Sequence, residues 1–315
     1  MSGRSRSGAA HWADPGLRTD ADKPFKPPAL EVLIPTAGRE AELAVTLAGL
    51  AAQDDASFDV IVSDQSRSGV DSCPAMTAMK RVLRAQGRGV AVHRNLPRRG
   101  MAEQRQFLLD QSSAPRVLYL DDDVWLGPSA LQRLDTALTE FGYDFVGYSV
   151  QGLSYLEDER PDENEVFEAW PDNLITPETI RPWFKSMDRR SLHNAANLTY
   201  LARQEGLTDD SLVAYHVAWI GAYTLFDRDA LIRSGGFQFW PLLPPEHAGE
   251  DRVAQWHVME RFGGTGLLPS AAVHLEAPTT VVDKRVEASD VVFPRSFGAS
   301  ERPECPEPPA NSREK

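Results

Sequence analysis

Short apolar runs alternate with helix-period segments through the first half of the chain. Leu30-Glu31-Val32-Leu33-Ile34 stops at Pro35, Phe58-Asp59-Val60-Ile61-Val62 at Ser63-Asp64, and Val117-Leu118-Tyr119-Leu120 at Asp121, with Val90-Ala91-Val92 between the last two. Such runs are too short for helices and too continuous for strands with one wet face, so they predict strands buried on both faces. Between them Leu43, Leu47 and Leu50 share a helical face, as do Met76, Met79, Lys80 and Leu83, and Phe107 follows Gln104 at helical spacing. The resulting βαβαβαβ order, with right-handed crossovers, predicts an α/β fold: a mostly parallel central sheet flanked by helices on both faces.

The pattern weakens from Phe145-Val146-Gly147-Tyr148 onward. Residues 151–210 are polar and aromatic, with a helix expected around Leu192 to Gln204. A strand is expected at Trp219 to Phe226 and a short helix at Asp229 to Ser234, ended by Gly235-Gly236. A helix at Gly249 to Phe262, ended by Gly263-Gly264, and a last strand at Ala271 to His274 complete the reading. Residues 1–28, rich in Ser, Arg, Gly and Pro, and 286–315, rich in Pro and Glu, bury too little apolar surface to offset chain entropy. The expected organisation is therefore a disordered 1–28 tail, a first folded half at 29–150, a second at 151–285 and a disordered 286–315 tail.

Composition narrows the partners. With 33 Lys+Arg against 46 Asp+Glu in 315 residues, the net charge is −13, which disfavours duplex nucleic acid and anionic membrane surfaces as the main target. Cys73 and Cys305 form no CxxC pair or disulfide framework, and no apolar stretch is long enough for a signal peptide or an integral span. A soluble cytoplasmic protein is expected.

In open α/β sheets, ligands bind beyond the carboxyl ends of the strands, so the polar residues that follow each run carry the chemistry. These are Pro35-Thr36-Ala37-Gly38-Arg39, Ser63-Asp64-Gln65-Ser66 and Asp121-Asp122-Asp123. Three adjacent carboxylates at a buried strand end need a cation or hydrogen-bond donors to stay ionised. Mg²⁺ or Mn²⁺ shared with a diphosphate meets that need, and a solvated turn capping the next helix is the bland alternative. Gly100-Met101-Ala102-Glu103-Gln104-Arg105 opens a helix with a glycine that allows close backbone approach and an arginine one turn in. Glu250 and Asp251, at another helix start, fit either a cap or a general base. His274, ending an apolar run, fits either a core histidine or a metal ligand.

In this order and spacing the motifs resemble the inverting family-2 glycosyltransferases of GT-A fold, from about Leu30 to His274. The resemblance implies that Pro35, Thr36, Arg39 and Asp64 line a nucleoside pocket with Arg105 near the nucleotide. It implies that Asp121 and Asp122 lie on the nucleotide-sugar side, that Asp123 binds the metal, and that His274 is its second protein ligand. Residues 29–150 would then be the nucleotide-sugar-binding half and 151–285 the acceptor-binding half, in which Asp251 matches the catalytic base and Glu250 an acceptor contact or the less favoured base. The implied reaction is metal-dependent sugar transfer from a nucleoside-diphosphate sugar to a hydroxyl of a small molecule or glycan, with inversion. Two features stand apart from the family pattern. Ser63-Asp64-Gln65-Ser66 replaces the Asp-Asp-Gly-Ser of many relatives, which leaves the donor base open. Trp170, Trp183, Trp219 and Trp240 fit either acceptor stacking or core packing. A sugar nucleotidyltransferase would carry Gly-x-Gly-Thr-Arg after the first strand, and Pro35 to Arg39 lacks it. A non-catalytic nucleotide-sugar or glycan-binding protein on the same scaffold is separated from an enzyme by turnover.

Overall fold

A computed structural model describes residues 28–294, apart from 55, 56, 156, 194 and 282. The expected tails at 1–27 and 295–315 lie outside the described residues. The chain begins with β1 (Leu30–Thr36), α1 (Glu40–Ala51), β2 (Asp59–Asp64), α2 (Pro74–Ala85), β3 (Val90–Arg94), α3 (Met101–Gln111) and β4 (Arg116–Leu120). There follow β5 (Val124–Leu126), α4 (Ala130–Glu140), β6 (Phe145–Gly147), β7 (Gln151–Gly152), α5 (Pro161–Asn164), α6 (Ala195–Gln204) and β8 (Val213–Tyr215). The last elements are β9 (Tyr223–Asp227), α7 (Arg228–Arg233), α8 (Glu250–Phe262), β10 (Thr265–Leu268), β11 (Ala272–His274) and α9 (Ala288–Val292).

Among the described residues the main sheet has eight strands in the order β3-β2-β1-β4-β9-β6-β10-β8. β3, β2, β1 and β4 pair in parallel, as do β6 and β10, whereas β9 runs antiparallel to both β4 and β6 and β8 runs antiparallel to β10. The continuous apolar runs have the expected cause. In β1, Val32 and Ile34 join a core with α1, α2 and α4 on one face, while Leu33 joins a core with α3, α7 and α8 on the other. β4 divides likewise, with Leu118 and Leu120 on the first face and Val117 and Tyr119 on the second.

Several elements differ from the expectation. The strand expected from Trp219 begins only at Tyr223, because residues 218–222 are drawn out of the sheet. Their partners are α8 side chains: the Gln255 amide bonds both Ile220 N and Ile220 O, and Trp256 Nε1 donates to Ala218 O. β5, for which the sequence pattern predicts no strand, belongs to a second sheet, β5-β11-β7. β8 and β10, which carry only three and four residues, gave no run long enough to read. The order of the fold also runs beyond Arg285. Ala288 is fully buried with Ala102 and Val253, and Ala248 N and O bond Val286 O and Ala288 N, so residues 286–294 belong to the folded body. Strands on both sides of residue 150 share the main sheet. Among the described residues, no helix is long and apolar enough to cross a membrane.

Candidate active site

The strand order reverses at β1: the chain moves outward to β2 and β3, then returns to place β4 on the other side of β1. A crevice opens where two such neighbours send their connections opposite ways. Here it brings Thr36, ending β1, against the acidic end of β4, and Thr36 Oγ1 donates to Asp122 Oδ2 at 2.7 Å. Two clamps fix this edge. Thr46 of α1 donates from Oγ1 to Asp122 O and accepts from Val124 N, holding the turn that carries the carboxylates. Gln104 of α3 donates from Nε2 to Thr36 O and Ser63 O, tying the ends of β1 and β2 together.

Arg39 compensates the carboxylates. Its Nη1 lies 2.9 Å from Asp122 Oδ1 and 3.0 Å from Asp123 Oδ2, and its Nη2 donates to Pro278 O at 2.5 Å. Burial nonetheless dominates at Asp122. Despite the Thr36 hydroxyl and the Arg39 charge, its carboxyl is pushed up to about 7. Asp123 is raised too, by burial first, with His274 and Arg39 opposing the shift.

His274 reaches Asp123 through the small sheet. β11 pairs antiparallel with β5, setting His274 opposite Val124, and Leu275 N donates to Asp123 O at 2.8 Å. The ring Nε2 then faces Asp123 Oδ1 at 3.5 Å, while Nδ1 accepts from Glu276 N. A carboxylate and an imidazole at this separation are of a kind and spacing that suit Mn²⁺ or Mg²⁺. Asp122 and Asp123 already hold a cationic group, which shows that the strand end accommodates positive charge. Among the described residues no cluster of three or more protein donors is present, so a cation here would complete its shell with ligand oxygens and water. With Nδ1 accepting, the neutral ring carries its proton on Nε2, so ligation through that atom requires the proton to shift to Nδ1 and the Glu276 contact to yield.

The opposite wall is the start of α8. Glu250 accepts from Arg105 Nε at 3.0 Å, and Arg105 Nη2 reaches Asp121 Oδ1 at 3.1 Å. Burial disfavours the Arg105 charge, but Asp121 and Glu250 outweigh it and hold the guanidinium above its ordinary range. Arg105 therefore lines the cleft with its charge largely committed to two carboxylates that it holds together. Asp251 Oδ1 accepts the N–H of Arg252 at 2.8 Å. Burial and the neighbouring Glu250 raise its carboxyl, with Arg105 and Arg252 pulling the other way. A half-buried carboxylate with a raised proton affinity is suited to accept a proton from a bound hydroxyl.

These walls enclose a cleft of about 370 Å³. Pro35, Thr36, Arg39, Arg105, Asp121, Asp122, Asp123, Glu250, Asp251 and His274 all line it. Asp64 does not. It is fully buried and its oxygens accept from Ser66 N, Val70 N and Arg94 Nη1, so the expected nucleoside contact is instead a brace for the loop after β2. Burial would raise Asp64, but those donors outweigh it and hold the carboxyl below its ordinary value. Of the tryptophans, Trp170 packs in the core against His216 and Trp240 borders the Ala102–Ala288 cluster. Trp183 sits edge-on to Phe184, outside the cleft lining. Trp219 contacts Arg252, next to Asp251, and His193.

The sequence reading missed four contributors. Thr46 sits in an apolar helix face with no signal beyond a polar residue at a core position. His247 lines the cleft and accepts from Ala102 N at the start of α3, and Lys284, exposed on the rim, falls where the fold was expected to end. His193 fits against Gly221, where a Cβ would come within 2.5 Å of its Cε1. The residue is exposed, and its ring centre lies 5.2 Å from that of Trp219, over which Arg252 sits.

The family model described as Glycosyl transferase family 2 matches residues 31–203. No curated protein matches the sequence at a significant level. Among solved structures, S. aureus TarS 1-349 in complex with UDP-GlcNAc is 15% identical with a TM-score of 0.51, covering 80% of this chain and 60% of that one. Its complex with UDP gives 16% identity and a TM-score of 0.51, over 79% and 61%. The mannosyltransferase PcManGT from Pyrobaculum calidifontis, in complex with GDP-Man and Mn2+, is 18% identical with a TM-score of 0.47, over 84% and 62%. The chain thus spans about three-fifths of the TarS 1-349 structures and 37% of the longer TarS chain. The fold is GT-A.

Proposed function

The chain belongs to glycosyl transferase family 2, and we propose that it transfers a sugar from a nucleoside-diphosphate donor to an acceptor hydroxyl, using a divalent cation and inverting the anomeric centre. The observation that supports this reading is a cleft lined both by the acidic strand end, Asp121 to Asp123, and by Asp251 at the start of α8.

Asp123 and His274 would hold the cation, which when bound neutralises charge on the departing diphosphate. Lys284 adds a positive charge on the cleft rim, well suited to a phosphate. Thr36 and Asp122 form the floor beside the donor. Asp251 accepts the proton of the attacking hydroxyl as the new bond forms on the face opposite the leaving group, so no covalent sugar–protein intermediate is needed. Glu250, tied to Arg105, keeps the start of α8 in register with Asp121.

The test is donor turnover. UDP-GlcNAc, GDP-mannose and dTDP-sugars are incubated with the full chain, with and without Mn²⁺, and free sugar and nucleotide are measured. Metal-dependent release is expected with one donor class, lost in Asp123→Ala. Asp251→Asn is expected to keep nucleotide affinity and lose roughly 10²-fold or more in transfer, the usual worth of a general base. Tight nucleotide binding without turnover, over all donors and added acceptors, would replace the enzyme reading with that of a binding protein.

A further inference from the structure

Arg39 is the first residue of charge beyond β1, and it meets the acidic strand end before any ligand does. Its Nη1 is shared between Asp122 and Asp123, its Nη2 is fixed on the Pro278 carbonyl, and its side chain is only 14% exposed. A guanidinium in this position supplies the neutralising charge that a divalent ion would otherwise supply. We propose that Arg39 is a resident counter-cation: it neutralises Asp122 and Asp123 in the ligand-free chain and so holds down the protein's own affinity for a divalent ion.

The argument is one of charge and geometry. An ion arriving between Asp123 Oδ1 and His274 meets a carboxylate whose Oδ2 is already bonded to Arg39, with a like charge a few ångströms away in a partly buried site where screening is weak. Among the described residues no cluster of three or more side chains is placed to ligate such an ion and so offset that repulsion. The imidazole is set in the same ion-free arrangement, its Nδ1 taken by Glu276 N–H and its Nε2 facing the carboxylate. A diphosphate changes the balance, because its oxygens give the ion further ligands and give Arg39 and Lys284 a new anionic partner. The ion and the nucleotide then favour each other's binding, as linkage requires.

This inference deepens the proposed function and rests on its cation site, but its test uses neither donor nor acceptor. Mn²⁺ alone is titrated into the full chain at pH 8, where proton competition for the carboxylates is least, and free Mn²⁺ is read by electron paramagnetic resonance. Arg39→Gln is expected to bind Mn²⁺ at least about tenfold more tightly than the parent. Arg39→Lys, which keeps the charge, is expected to stay within about threefold of the parent. In Arg39→Gln/Asp123→Asn the gain should disappear, assigning it to this site. Far-UV circular dichroism of each variant confirms the fold. An Arg39→Gln protein that is folded and binds Mn²⁺ no more tightly than the parent, including one in which neither binds, overturns the proposal. A chain that turns over donors yet shows no gain in Arg39→Gln loses this inference and keeps its function; the reverse result does the opposite.

Discussion

Asp64 and Arg105 are charged residues whose partners differ from what their positions at the ligand-binding edge suggest. Each is buried, and each uses its hydrogen bonds within the protein. For Asp64 the consequence is measurable. Its folded carboxyl lies below the ordinary value near 3.8 because backbone donors and Arg94 outweigh burial. Its stabilisation is thus fully present above that value and is lost as pH falls through the depressed one. Asp64→Asn should cost about 1.5–3 kcal/mol at pH 7, the range for hydrogen bonds to a charged group. Denaturant unfolding should show that difference shrinking below about pH 4; a constant difference down to pH 2 would remove the ionic contribution. Asp251 runs the other way: as the proposed base, its raised carboxyl would be ionised only above its shifted value. Transfer should fall on an acid limb that lies above the ordinary carboxylate range, and a pH–rate profile reads it directly.

At the level of elements, the site depends on where two helices begin. α3 and α8 are remote in sequence, yet His247, just before α8, accepts the Ala102 N–H of the first turn of α3 and fixes its own Nδ1 on Pro244 O. The ring fits only because residue 100 has no side chain: a Cβ there would lie 2.6 Å from His247 Cε1 and 2.8 Å from Pro245 O, at a φ of +108°. Gly100→Ala should therefore cost about 2 kcal/mol or more and lower transfer along with stability, because it displaces both helix starts. Unfolding curves and activity measured together check this; a stable variant with normal turnover would uncouple the two helices from the site. The same scale explains what could be read from sequence. β1, β2 and β4 were legible because burial on both faces makes a continuous apolar run. β5 was not: Val124-Trp125-Leu126 alternates buried and exposed residues in a strand of three, and its partner β11 lies far along the chain.

Over the whole molecule, the C-terminal segment closes the arrangement. Ala288 packs with Ala102 and Val253, the first turns of α3 and α8, and Arg252 pairs with Glu287. Phe293 lies against His257, with the Arg181 guanidinium 4.1 Å from its ring centre. A chain ending at Arg285 loses these contacts. Burial of one phenylalanine alone is worth about 2 kcal/mol, so its melting temperature should fall by roughly 4–8 °C, with transfer reduced further because both helix starts lose their support. Calorimetry decides this, and an unchanged melting point would mean that residues 286–294 are dispensable.

The net charge of −13 also looks different at this scale. The carboxylates at the end of β4 and the start of α8 are met by Arg39, Arg105 and Arg252, so resident cations offset part of the acidity of the cleft. The sequence by itself determined the βα alternation, the sheet edge at which the cleft opens and ten of the residues that line it, since strand ends and helix starts are written in local pattern. The tertiary structure alone decided the partners. Asp64 turned inward, Arg105 became a bridge between carboxylates, Arg39 came to rest on the proposed cation site and His274 reached Asp123. Each of these depends on a packing choice between segments distant in the chain, and hydrophobic periodicity, being local, carries no record of which distant segments meet.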